Sequence, residues 1–88
     1  MQFEFDLAKS ASNQQKHGID FVRAQVLWHS PRVEVGAKDR GEKRYLVIGL
    51  IAGENWSAIV TYLGMTIRII SVRRSTPSEI AFYAKTIR

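Results

Sequence analysis

The stretch IRIISVRRS, from Ile67 to Ser75, sets three arginines, Arg68, Arg73 and Arg74, among β-branched and aliphatic residues that belong in a buried strand. A guanidinium in such company is costly to desolvate unless an anion meets it, and its planar fork donates two parallel hydrogen bonds to a phosphate or carboxylate. Side chains alternate along a strand, so Arg68 is expected on one side with Ile70 and Val72, and Arg73 on the other with Ile67, Ile69 and Ser71. Arg44 enters another aliphatic run, RYLVIGLI, and could join either set. For each arginine the competing explanation is a solvated strand end or an ion pair with one of the eight acidic residues. That explanation suits Arg74 best and Arg68, between two isoleucines, least. A phosphodiester that compensates otherwise poorly satisfied guanidinium groups is the expectation these residues raise.

Groups able to move a proton are fewer. His17 ends a basic segment beside a glycine, and an imidazole is the side chain best suited to acid or base work near neutral pH, although an imidazolium at a helix C-terminus is also a plain cap. Lys9, Asn13 and Lys16 fall at i, i+4 and i+7 and form one cationic, amide-bearing stripe of a helix, a surface for a polyanion. Tyr62 could serve as an acid and Tyr83 as a stacking platform, though tyrosines on a strand and an amphipathic helix are more often core residues with a satisfied hydroxyl. His29, next to a Ser-Pro break, reads as surface. The chain has no cysteine, so thiolate nucleophiles and thiolate zinc sites are excluded, and two histidines at this spacing predict no metal. No cofactor is expected.

The elements that must position these residues follow from local signals. QFEF alternates and predicts a short first strand with Phe3 and Phe5 on one face. Asp6 caps a helix from Leu7 to about His17, with Gly18 as its left-handed terminator; Asp20 caps a second from Phe21 to about His29, turning Phe21, Ala24, Leu27 and Trp28 to the core. From Arg32 the period changes. RVEVGA, KRYLVIGLI, WSAIVTYL and TIRIISV predict four sequential antiparallel strands joined at KDRGE, AGEN and GM. STPSE opens a last helix through a capping box, Thr76 with Glu79, and Pro77 in the first turn, with Ile80, Tyr83, Ala84 and Ile87 on its apolar side. The expected fold is α+β: two N-terminal helices, a curled antiparallel sheet of about four strands plus the short N-terminal strand, and a C-terminal helix.

At 88 residues the chain is expected to be one domain, because a second core could not be enclosed. Hydrophobic residues make up 45%, which is the composition of a globular domain rather than a disordered tail. No apolar run reaches membrane-span length and the N-terminus lacks a secretory pattern, so a cytoplasmic location is expected. A net charge of +5 and a pI near 10.0 favour a polyanionic partner, with nucleic acid first and an acidic protein second.

Three blocks in order, FEFDLAKSASNQQKHGIDFVRA, RYLVIG and IRIISVRRSTPSE with a following tyrosine, resemble the BrnT family of toxins from bacterial type II toxin-antitoxin systems. The resemblance runs from Phe3 to about Tyr83. It implies a RelE-like ribonuclease fold, RNA cleavage that halts translation, and a BrnA-type antitoxin that carries a DNA-binding domain and joins the toxin in a heterotetramer. The family's basic strand positions fall on Arg44, Arg68 and Arg73, and its helix block on Lys9, Asn13, Lys16 and His17. Cleavage without a metal must activate the ribose 2′-hydroxyl, stabilise charge on the phosphoryl oxygens and protonate the departing 5′-oxygen. Arg68 with Arg73 or Arg44 would clamp the scissile phosphate, His17, Lys16 or Tyr62 would move protons, and Arg74 would contact the RNA backbone. Were Arg68 and Arg73 on opposite faces, one of them would hold antitoxin or RNA backbone instead. The reading from another class is a non-catalytic basic module that binds an acidic protein or nucleic acid.

Overall fold

In a computed structural model that describes residues 1–37 and 41–87, the predicted caps form. Asp6 accepts the backbone N–H of Lys9 at 3.0 Å and opens α1, Leu7–His17, which closes where the Gly18 N–H meets the Gln14 carbonyl at φ 76°. Asp20 accepts the N–H of Arg23 at 2.8 Å and opens α2, Phe21–Ala24. The second helix differs from expectation beyond that point: Gln25–His29 winds as a 3-10 turn. Phe21 and Ala24 of α2 and Leu27 of this turn, each three apart, all reach zero exposure.

The strands are β1 (Gln2–Glu4), β2 (Val33–Ala37), β3 (Arg44–Ile51), β4 (Glu54–Leu63) and β5 (Thr66–Arg74). They form one sheet in the order β1-β5-β4-β3-β2, antiparallel except for the parallel β1–β5 pair at one edge. The expected KDRGE connection includes residues 38–40, which lie outside the described residues. Across β3 and β4, Ala52 at φ 51° and Gly53 at φ 80° make a two-residue hairpin turn whose hand matches the strand twist. α3, Pro77–Thr86, begins with the complete capping box of Thr76 and Glu79.

One face of the sheet presents Val47, Ala58, Val60, Ile67, Ile69 and Val72 to Ile19, α2 and the 3-10 turn, and this is the main core. The other face carries Val33 and Ile48, which pack on Tyr83 of α3, with Leu46 and Val35 only half-buried beyond them. Gly49 is needed on the first face because a Cβ there would lie 3.0 Å from Cδ2 of the fully buried Leu27. Gly49→Val should therefore overpack this contact and lower stability by about 1–3 kcal/mol, read as a fall in the urea midpoint.

A β-bulge in β5 sets the direction of the arginines. Val60 pairs with Ile69 and Ile59 with Ser71, so Ile70 has no partner and the alternation shifts by one. Ile67, Ile69 and Val72 all consequently enter the first-face core, while Arg68 and Arg73 pair with Thr61 and Ser57 on the second face. The expectation from simple alternation, that Arg68 and Arg73 point to opposite sides, is corrected by this one extra residue. Arg44 precedes the inward-facing Tyr45 and so projects from the second face as well.

Candidate active site

β1 spans only the first three residues of β5, from Thr66 to Arg68, and beyond it the outer edge of β5 has no strand beside it. Asn13 fills that edge. Its Oδ1 accepts the Val72 N–H at 3.1 Å, and its Nδ2 donates to the carbonyls of Val72 at 2.9 Å and Ile19 at 2.8 Å. Ser10, the other buried residue of α1, accepts the Phe21 N–H at 2.9 Å. α1 is thus held to β5 and α2 by polar side chains rather than by an apolar stripe.

Between the start of α1 and the bulge lies a cleft of about 360 Å³, lined by Glu4, Asp6, Lys9, Arg68 and Ile70. Lys9 and Ile70 also line an adjoining hollow of about 190 Å³, shared with Ser12, Lys16, His17 and Ser71. The two form one groove along α1. It brings Arg68, Lys9, Lys16 and His17 along one line beside α1, with the Glu4 and Asp6 carboxylates at the Arg68 end. His17 does not reach Arg68, since eight residues of helix separate it from Lys9, a rise of about 12 Å.

Each arginine in question has a carboxylate partner, which corrects the expectation that the sheet leaves them poorly satisfied. They differ in how much of the guanidinium the partner consumes. Arg73 gives Nη1 and Nη2 to Glu79 at 2.7 and 2.9 Å and a further bond to the Arg74 carbonyl, which ties β5 to the start of α3. Arg74 pairs with Glu54 at 3.1 Å and lies over the Trp56 ring at 5.3 Å, where β4 begins. Arg44 approaches Glu42 at 3.6 Å, and its Nε is buried with no partner among the described residues. Arg68 donates only its Nε, to Glu4 Oε2 at 2.7 Å, and its two terminal nitrogens make no hydrogen bond to a described residue. Both side chains of that pair are nearly half exposed at the cleft.

Tyr62 stands on the first face, opposite to Arg44, Arg68 and Arg73; its hydroxyl donates to Glu34, and Tyr45 packs 5.2 Å away. Burial first, and the Glu34 carboxylate second, push this phenol up to about 12. Tyr83 is buried with its hydroxyl on the Pro31 carbonyl at 3.1 Å, and His29 is exposed at the end of the 3-10 turn. Among the described residues no group of three or more histidine and acidic side chains converges as a metal site. Sequence reasoning passed over Glu4. It was visible only as the polar member of the alternating QFEF, and nothing local ties it to Arg68, 64 residues away.

Glu79 is a second internal anchor: the Arg73 hydrogen bonds, with the Thr76 N–H and Ser57 hydroxyl, hold its carboxyl at about 2 against a usual 4.5. A carboxyl depressed in the fold stabilises it above the ordinary value and loses that contribution as pH falls toward 2. Allowing for screening of the partly exposed Arg73, the network is worth about 2 kcal/mol. Glu79→Gln should cost that much at pH 7 and much less at pH 3, measured as the gap between variant and wild-type urea midpoints.

A family model described as "Ribonuclease toxin, BrnT, of type II toxin-antitoxin system" matches residues 5–79. The chain belongs to the BrnT family. Membership in a type II toxin-antitoxin family implies an antitoxin as partner of this BrnT-family chain. The match takes in α1, the bulge and all three arginines of β5, and begins one residue after Glu4. No curated protein matches the chain. No described helix is long and apolar enough to cross a membrane.

Proposed function

We propose that this BrnT-family chain is a metal-independent endoribonuclease that cleaves RNA and so inhibits translation, and that a BrnA-type antitoxin neutralises it in a heterotetramer. The observation that carries the reading is Arg68, with its terminal nitrogens uncommitted, beside Lys9 in a cleft that continues past Lys16 and His17. Arg68 meets the scissile phosphate and stabilises charge that develops on its oxygens. Lys9 adds a second cation at the same place. Lys16 and His17 receive the phosphate further along the strand, which gives the groove a hold on single-stranded RNA. An antitoxin that covers the groove blocks both functions at once.

The test is incubation of the purified chain with single-stranded RNA in excess EDTA. Cleavage is expected, with 2′,3′-cyclic phosphate ends, and a strand with 2′-deoxyribose throughout should stay intact. RNA that is bound yet left whole would favour the non-catalytic basic module, a reading supported by the internal carboxylate that each arginine already has.

A further inference from the structure

We propose that Glu4 is the general base of this reaction, a role that rests on the ribonuclease reading above. Two carboxylates border the cleft beside Arg68 and Lys9, those of Glu4 and Asp6. Asp6 is committed to the N-terminus of α1, where its Oδ1 accepts the Lys9 N–H at 3.0 Å. Glu4 is not committed in this way: Oε2 receives the Arg68 Nε at 2.7 Å, and Oε1 accepts nothing from a described residue. The pairing fixes one carboxylate oxygen on the side of Arg68 and leaves the second oxygen and the Arg68 terminal nitrogens without a partner among the described residues, in a pair nearly half exposed at the cleft. A phosphate gripped by those nitrogens would lie in the cleft that the Glu4 carboxylate also lines. A ribose 2′-hydroxyl attached to it would then have a base in hydrogen-bond reach.

The placement comes from the fold's edge. β1 runs parallel to β5 with Glu4 opposite Arg68, so the two share a face, and β1 ends there, which opens the cleft immediately beyond the pair. The charged groups that face Glu4 are Arg68 from β5, Lys9 from α1 and Asp6 between β1 and α1.

In the step itself, the 2′-hydroxyl proton passes to Glu4 as the 2′-oxygen bonds to phosphorus. The bond from phosphorus to the 5′-oxygen breaks, and that oxygen takes a proton from the Lys9 ammonium. Products are a 2′,3′-cyclic phosphate and a free 5′-hydroxyl, with Glu4 protonated and Lys9 neutral until solvent restores them.

The experiment compares wild type, Glu4→Gln and Glu4→Ala on one RNA. Turnover is expected to fall by about 10²–10⁴ in Glu4→Gln. The acidic limb of the wild-type pH–rate profile should vanish with it, and binding of a 2′-O-methyl RNA should be unchanged or tighter because a negative charge has left the cleft. Added formate should restore part of the turnover of Glu4→Ala and none of that of Glu4→Gln, a rescue that a merely structural salt bridge would not give. If Glu4→Gln cleaves at the wild-type rate, Glu4 is not the base and the ribonuclease reading stands. If wild type leaves RNA whole, both fall.

Discussion

Arg68→Ala is expected to lower RNA cleavage by about 10²–10³ while the protein stays folded, with circular dichroism and thermal melting close to wild type. The separation of activity from stability follows from how Arg68 is held. It is an exposed strand residue whose one ion pair, with Glu4, is open to solvent and is worth at most about 1 kcal/mol. The terminal nitrogens, which carry the proposed work, are the part of the side chain the fold does not use. Arg73 supplies the contrast, since its fork is consumed by Glu79 on the same sheet face. Arg73→Ala should reduce stability through the network of Ser57, Glu79 and Thr76 and leave turnover per folded molecule far closer to wild type.

Asn13→Ala should destabilise the protein by about 3 kcal/mol or more. It would leave the Val72 N–H and two carbonyls without their partner in a site where Asn13 is 6% exposed, and each such buried orphan costs about 1–3 kcal/mol unless water reaches it. In a domain of this size that is a fall in melting temperature of roughly 10–20 °C. β5 would lose its hydrogen bonds to α1 at Val72 at the same time, so cleavage at temperatures where the variant is still folded should fall too. Asn13 therefore shapes the groove from within the fold, with its amide already bonded on both sides.

Much of this architecture could be read from the chain. Asp6, Gly18, Asp20 and the Thr76–Glu79 box announce their helices because each acts on neighbours three or four residues away. The strands are announced by aliphatic runs, and two of the groove's cations, Lys9 and Lys16, by their spacing on one helix stripe. What escaped is what depends on partners distant in sequence. The extra residue at Ile70 has no local signature, yet it decides that Arg68 and Arg73 share a face. Asn13 looks like one more polar residue of a solvated helix until the short β1 leaves the edge of β5 to be completed. The pairing of Glu4 with Arg68 likewise needs the parallel return of the first strand to the last. Tyr62, at the other face, is separated from Arg68 by the sheet itself, which strand spacing alone cannot reveal.

The claim on which the rest depends is that RNA occupies the groove between α1 and the bulge. Titration of ¹⁵N-labelled protein with a short 2′-O-methyl RNA tests it, because the ligand binds without being cut. Amide shifts are predicted to concentrate at Lys9, Lys16, His17 and from Arg68 to Ser71. Shifts gathered instead around Arg74 and Trp56, or at the Gly64–Met65 turn, with the groove silent, would contradict it.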